Sequence, residues 1–432
     1  MTSRSPELLA PAGTLKNLHY ALAYGADAVY AGLPRYSLRA RNNDFTLTSV
    51  AEGIAAVQRQ GKRFYLACNV LAHQAKLNTF LKDMAPVVEL GPNALIMADP
   101  GLIMQVRNTW PELPIHLSVQ ANSLNAAAVQ FWARQGITRV ILSRELSLEE
   151  IAAIRQACPD VELEVFVHGA ICIAHSGRCL LSGYFNHRDA NQGVCTNSCR
   201  WAYRLGSARP ASGWEGASDR RRHPAADEVY LLEEAERPGE YMPVFEDHNG
   251  TYIMNAKDLC AIEHIGRLVE IGVDCMKIEG RTKSHYYTAR ATLAYRAALD
   301  DALAGQPFNP ALRAMVEGLA NRGYTDGFMS RHGHGNGQNY TVGTSTQDRR
   351  LFVGELLETG EADWVEVDVK NRFTIGDELE LMTPHGRQRF RLEHMVQPDG
   401  SPTSVAAGSG NRVRIAIPRL DCSMGLLAKC LD

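Results

Sequence analysis

The sequence predicts an α/β chain: a (β/α)8, TIM-like barrel with a cysteine-bearing insertion after its seventh strand, followed by a small C-terminal all-β barrel domain. Three observations carry that prediction. Eight apolar, strand-like runs alternate with helix-like segments over residues 1–335, and near-continuous apolar strands are what a parallel sheet covered by helices requires. The alternation breaks once, at about residues 170–272, where four cysteines and a polar Gly/Arg-rich stretch gather. From residue 345 to 432 the hydrophobic period changes to two, which is the pattern of half-buried antiparallel strands.

The strand runs, in order, are ELLAPAG, YGADAVYAG, QGKRFYLACN, LGPNALIMAD, WPELPIHLSVQ, QGITRVILSR, CPDVELEVFVHG and IGVDCMKIEG. Most joints carry a Gly or Pro, the expected stop after a helix. The segments between them have helical periodicity. In SLEEIAAIRQAC, Leu148, Ile151, Ile154 and Ala157 share a stripe, and Ser147 with Glu150 forms a capping box. An open doubly wound sheet is the competing architecture, but no GxGxxG follows the first strand. After a helix around SHYYTARATLAYRAALDDALAG comes a Gly/His/Asn-rich linker, RHGHGNGQNY. LFVGELLE, WVEVDVKNRF, DELELMTP, RQRFRLEHM and RVRIAIPRL then supply the period-two strands.

Composition narrows the function. Apolar runs fall well short of the roughly 20 residues of a membrane span, and the N-terminus lacks a secretory layout, so a cytoplasmic protein with no membrane partner is expected. Thiols stay reduced there, which makes the ten cysteines ligands or core residues rather than disulfides. A net charge of −3 argues against a generally basic nucleic-acid binder, though not against a local patch.

Four cysteines stand apart, spaced Cys172-x6-Cys179-x15-Cys195-x3-Cys199 directly after the seventh strand. Four thiolates suit a [4Fe–4S] cluster or a tetrahedral zinc, and unliganded thiols are the third reading. Zinc prefers paired close knuckles, which the first pair does not offer. His168, His175, Arg178 and Arg200 are available to offset cluster charge. Core packing is the plain reading of Cys68, Cys158, Cys260, Cys275, Cys422 and Cys430, although Cys68 could face the barrel mouth.

Polar residues at strand ends are the natural site candidates in a barrel. They are Asn69, Asp99, Gln120, Ser143, Arg144, Glu145, His168, Glu279 and Arg281. Lys277 and Glu279 share parity and could simply pair. Arg39 and Arg41 after the second strand, with Arg144 and Arg281, suit a carboxylate or phosphate. Glu279, Arg281 and His168 are the candidate catalytic groups, and Arg39, Arg41, Arg144, Gln120 and Asn69 the candidate substrate contacts. The runs Arg220–Arg222 and Arg387/Arg389/Arg391 are candidates for RNA contact, with solvated charge as the plainer reading. No H-E-x-x-H or G-x-S-x-G is present, so peptide hydrolysis has no positive support.

The stretch EVFVHGAICIAHSGRCLLS, residues 164–182, resembles the signature of peptidase family U32, and HLSVQAN, VILSRELSLEEI, NQGVCTNSCRW, IMNAKDLC and KIEGRTKSHYY extend the likeness along nearly the whole chain. The resemblance is to the branch of that family that modifies tRNA. It implies hydroxylation of the wobble uridine at carbon 5 to 5-hydroxyuridine, dependent on prephenate and independent of dioxygen. It also implies a [4Fe–4S] cluster on Cys172, Cys179, Cys195 and Cys199, with Cys260 as a weak substitute for the last. The implied partners are the anticodon loop of tRNA, prephenate and iron–sulfur assembly proteins; the oligomeric state is left open. The arginines would hold the prephenate carboxylates by bidentate pairing, and Tyr30, Tyr36 or Tyr184 would stack on the splayed base. A protease, as the family name suggests, and a non-catalytic iron–sulfur or RNA-binding subunit are the alternatives.

Overall fold

The computed structural model describes residues 5–39, 44–172, 174–179, 182, 188–196, 230–233, 241–244, 246–247, 250–251, 256–330, 350–361, 364–417 and 423–431. All eight expected strands are present: β1 (Glu7–Pro11), β2 (Ala28–Gly32), β3 (Arg63–Cys68), β4 (Ala94–Met97), β5 (Ile115–Leu117), β6 (Arg139–Ile141), β7 (Glu162–Gly169) and β8 (Cys275–Ile278). Each pairs in parallel with its successor, and β8 pairs with both β7 and β1, so the sheet closes into a barrel.

The helices follow from local sequence. They are α1 (Leu15–Ala23), α2 (Leu47–Arg59), α3 (Phe80–Glu89), α4 (Pro100–Thr109), α5 (Ala126–Arg134), α6 (Leu148–Ala157), α7 (Ile265–Ile271) and α8 (His285–Leu303). The α6 capping box forms as expected, with the Ser147 amide donating to Glu150 at 2.9 Å and the Glu150 amide to Ser147 Oγ at 3.3 Å. Its buried stripe runs Leu148, Ile151, Ile154 and then Cys158, not Ala157, because the chain turns inward at the helix end. Gly25, Gly61, Gly91, Gly136 and Gly272, at the joints into the next strands, take φ between 63° and 102°, a region that side chains with a Cβ enter at a cost.

Three features lay beyond the sequence reading. Two small hairpins, Tyr230–Glu233 with Tyr241–Val244 and Glu246–Asp247 with Gly250–Thr251, occupy part of the insertion. A strand at Asp258–Cys260 then runs antiparallel to the end of β7 and parallel to Tyr324–Thr325. It is anchored by a buried ion pair between Arg322 and Asp258. After α8 and a further helix, α9 (Pro310–Glu317), the chain enters the C-terminal domain.

That domain is built on a seven-stranded antiparallel sheet, as period two requires, with a further antiparallel pair, Phe373–Thr374 with Val405–Ala406. Its strands are β9 (Arg350–Glu361), β10 (Trp364–Val369), β11 (Glu378–Thr383), β12 (Gly386–Arg391), β13 (Met395–Val396), β14 (Arg412–Ala416) and β15 (Leu426–Cys430), in the order β12-β11-β15-β9-β10-β14-β13. It has its own apolar core around Val353, Phe373, Leu379, Val413 and Leu427. Met382, Leu426 and Ala428 belong instead to the core shared with the barrel helices. Tyr24, capping the end of α1, donates to the Met382 and Met424 carbonyls, each at 2.9 Å. Glu355 meets Lys16 and lies 2.8 Å from His285; burial acts to raise its pKa, but these two groups hold it down at about 2. Among the described residues no helix is long and apolar enough to cross a membrane.

Candidate functional site

One cavity opens where the C-terminal ends of the strands meet the insertion. Seven of its polar lining residues come from strand ends: Asn69 after β3, Ser118 and Gln120 after β5, Arg144 after β6, and Lys277, Glu279 and Arg281 on or after β8. Arg39, from the loop after β2, and the thiol-bearing residues Cys172, Cys179 and Cys195 complete the wall. Chain segments more than two hundred residues apart thus bring their chemistry to one place.

The cations are held by different means. Arg281 is 7% exposed and donates to Ser37 Oγ and to the Leu38 carbonyl; burial lowers its pKa. Gly32 makes room for it, since a Cβ there would lie 2.5 Å from Arg281 Nη1. Arg39, in a left-handed conformation at φ 67°, sits 3.6 Å from Glu279 and shares the cavity wall with Cys172. Burial works to lower its pKa, but Glu279, Cys172 and Cys195 raise it. Arg144 lies 3.9 Å above the Phe166 ring and has no carboxylate within ion-pair distance among the described residues. Lys277 does not pair with Glu279; its ammonium is 2.7 Å from Glu164, both groups being buried, and 4.3 Å from the Tyr30 ring. Burial lowers the Lys277 pKa, against the carboxylate.

The insertion is pinned to the barrel beside the thiols. Asn122, at φ 52°, donates to the Ser176 carbonyl at 2.7 Å, and Gly177 packs on Gln120 so closely that a Cβ would lie 3.0 Å from its carbonyl oxygen. Gln192 donates to the Leu71 carbonyl, and Leu71 to that of Asn191 at 3.3 Å. Ser182 Oγ accepts from the Thr196 amide at 2.9 Å, tying the segment after Cys179 to the residue after Cys195. Asn69 accepts from the Leu38 amide at 3.1 Å and donates to Gln120 at 3.3 Å, which braces two candidate contacts against each other.

Three thiols along one wall are a donor set suited in chemistry to an iron–sulfur group. Among the described residues, however, no three His, Cys, Asp or Glu side chains are drawn together as a ready-made metal site. Cys199 lies outside the described residues, as do Arg41, Tyr184, Cys422 and the Arg220–Arg222 run.

Several expectations are corrected. His168 is 1% exposed and does not line the cavity; it sits among Tyr287, Tyr295 and Tyr324, where burial pushes its pKa down to about 3. It is a neutral core imidazole. Cys260 is buried 3.7 Å from the Tyr295 hydroxyl and does not line the cavity. Cys68 packs on Met84 of α3 and does not face the mouth. Tyr36 donates to Asp83 at 2.5 Å, off the cavity, whereas Tyr30 lines it. Asp99 caps α4 by accepting from the Leu102 amide at 2.9 Å. His175 faces Glu145 at 3.2 Å.

The sequence matches the model for Peptidase family U32 over residues 13–339 and that for the Peptidase family U32 C-terminal domain over residues 348–429. The chain belongs to peptidase family U32. It is similar to tRNA hydroxylation protein P of Escherichia coli (strain K12), at 55% identity over 98% of this chain and 96% of the relative. A protein of the same name from Haemophilus influenzae is 51% identical over 97% of this chain and 94% of its own length. A more distant relative, the 23S rRNA 5-hydroxycytidine C2501 synthase of Escherichia coli, is 28% identical over 90% of this chain and 54% of its own.

In this U32 chain the residues missed by sequence reasoning are Ser118, Phe166 and Glu164. Glu164 carried a signal: a carboxylate midway along an apolar, buried strand must have a partner. Phe166 carried none, being one apolar residue among many.

Proposed function

We propose that this chain hydroxylates tRNA, converting the wobble uridine at carbon 5 to 5-hydroxyuridine with prephenate required and dioxygen not. The observation that carries the reading is the end-to-end similarity, at 55% identity, to a protein named for tRNA hydroxylation. The cavity gives it a physical basis. Arg39, Arg144 and Arg281 present guanidinium groups to one space at the mouth, the geometry that suits a small dicarboxylate. A base splayed from a single-stranded loop enters such a mouth more readily than a paired one. Tyr30 is already covered by Lys277 and Arg281, so it serves as a floor rather than a stacking face.

The same reading assigns a [4Fe–4S] cluster to Cys172, Cys179, Cys195 and Cys199. When bound, that group supplies redox or Lewis-acid chemistry next to the cavity. The chain's own part is to neutralise and orient: Arg39 stands by Glu279 on the cavity wall that also carries Cys172, and Asn69 with Gln120 braces the rim against which the insertion packs. Iron–sulfur assembly proteins are the partners this reading requires, and the cytoplasm is its compartment.

The test is nucleoside analysis of tRNA from cells lacking the gene and from cells complemented with wild-type or Cys172→Ala chain. Restoration of 5-hydroxyuridine by the wild type alone, and only in cells able to make prephenate, is the expected outcome. Unchanged 5-hydroxyuridine in the deleted cells would overturn it.

A further inference from the structure

The mouth cavity has two levels. The wall residues that lie within barrel strands are Tyr30, Ala67, Ile96, Ile141, Phe166 and Lys277, each 7% exposed or less, and they form its floor. Arg39, Arg144 and Arg281 stand in loops beyond the strand ends and form its rim. The Tyr30 hydroxyl donates to the Ile278 carbonyl at 3.0 Å, so the floor is apolar apart from one group, the Lys277 ammonium.

An ammonium carries three N–H donors. Lys277 gives one to Glu164 at 2.7 Å; Glu164 is itself fully buried and lies outside the cavity wall. The other two have no acceptor among the described residues, only the Tyr30 and Phe166 rings, whose centres are 4.3 and 5.3 Å from the nitrogen. Both rings are shared with rim cations, Arg144 lying 3.9 Å over Phe166 and Arg281 5.6 Å over Tyr30. The floor charge and the rim charges therefore keep a fixed offset. Buried donors without an acceptor cost free energy, and a ligand oxygen placed at the floor would restore it.

We infer that Lys277 is a specificity-determining contact, donating to an oxygen at the far end of a six-membered ring whose carboxylates are held at the rim. The cavity volume of about 120 Å³ is close to the roughly 150 Å³ of an apolar cavity that takes up benzene. It has room for one such ring and not for two. The order carboxylate, ring, oxygen in the ligand matches the order guanidinium, apolar wall, ammonium in the protein. A uracil carries no charge to answer the rim arginines, so the floor suits the small acid, and the base stands above it. Prephenate has the required order, with two carboxylates at one end of its ring and a hydroxyl at the other. The inference rests on the prephenate reading of the mouth, and it adds which end of that molecule enters first and which residue reads it.

The test is equilibrium binding of prephenate, and of its analogue lacking the ring hydroxyl, to the full-length chain purified anaerobically. It compares wild type with Lys277→Met/Glu164→Gln, which removes both buried charges together and so strands neither. Wild type should bind prephenate about tenfold or more tightly than the analogue. The double variant should bind the two within twofold of each other, with the analogue held nearly as well as by wild type. Wild-type selectivity is readable without any variant, so the test survives a double variant that does not fold. A wild type that binds both ligands equally would overturn the floor assignment while leaving the mouth reading intact. A folded double variant that keeps the selectivity, or that loses both ligands to the same degree, would also overturn it, the latter because Lys277 would then be general support. A wild type that binds neither ligand would instead overturn the functional reading on which the inference stands.

Discussion

Both ends of the barrel carry buried charge, and they differ in how that charge is satisfied. At the N-terminal end, Arg139 is 2% exposed and meets Glu7 at 2.8 Å, Glu162 at 2.8 Å and Glu164 at 3.4 Å. Arg63 reaches Glu7 at 2.9 Å, and the Tyr65 hydroxyl donates to the same carboxylate. Asp27 holds Lys62 and Arg296, and Asp274 holds Arg155. Each of these five cations has a carboxylate. At the mouth, Arg144 has an aromatic ring and Arg281 has a hydroxyl and a carbonyl, with no carboxylate within ion-pair distance among the described residues. Charges answered within the fold hold the fold; charges left facing a cavity are available to a ligand.

That contrast can be broken from either side. The largest effect is expected at the closed end. Arg139→Leu leaves the buried carboxylates of Glu7 and Glu164 with Arg63 and Lys277 as their remaining cations, and should cost roughly 3–5 kcal/mol of unfolding free energy, read by denaturant titration. Hydroxylation by the fraction still folded should be little changed. At the mouth, Arg144→Ala should do the reverse. It should lower kcat/KM by about a hundredfold, or about 2.7 kcal/mol of transition-state free energy, with a thermal midpoint close to wild type. A comparable stability loss in both variants would erase the distinction.

Gly32→Ala lies between these two cases, because the added Cβ displaces Arg281 without removing it. Overpacking should cost about 1–3 kcal/mol and also weaken substrate binding, seen as a raised KM. The smallest effect is in pH dependence. Burial holds His168 at about 3 in the folded chain, while the unfolded chain titrates near 6.5. The unfolded state therefore takes up the proton first, so this contribution is complete above pH 6.5 and drains away as pH falls towards 3. Glu355, held at about 2, adds a further loss below about pH 4.5. The His168 share is at most about 1.4 kcal/mol per pH unit. His168→Gln should flatten the unfolding free energy between pH 6.5 and 5 by about that slope; an unaltered slope would mean that the imidazole is not buried neutral.

Most of the barrel was legible because its signals are local. Strand runs such as NALIM and RVIL, and the glycines that end the preceding helices, depend only on neighbours in sequence. The placement of Asn69, Gln120, Arg144, Glu279 and Arg281 on one rim follows from the same logic, since strand ends of a parallel barrel share a face. What escaped depends on partners distant along the chain. Lys277 and Glu279 share parity, so pairing them was natural, yet the closed sheet offers Lys277 the nearer Glu164 on β7. His168 stands at a strand end like the others, but Asp258–Cys260 and the tyrosines of α8 cover it, and that strand has no distinctive pattern in three residues. Arg387 and Arg389 looked like solvated charge until Arg290 and Arg350 were brought beside them.

The central claim is that the thiols at the open rim hold an inorganic centre beside the cationic cavity. Anaerobic purification followed by iron and acid-labile sulfide analysis tests it most directly, with a visible spectrum of wild type and of Cys172→Ala, Cys179→Ala and Cys195→Ala. The account predicts about four irons and four sulfides per chain and a broad absorption band in the wild type, lost or sharply reduced in each variant while the thermal unfolding of the C-terminal sheet is retained. Iron and sulfide bound equally by the wild type and all three variants, or a wild-type chain that binds neither after reconstitution, would contradict it.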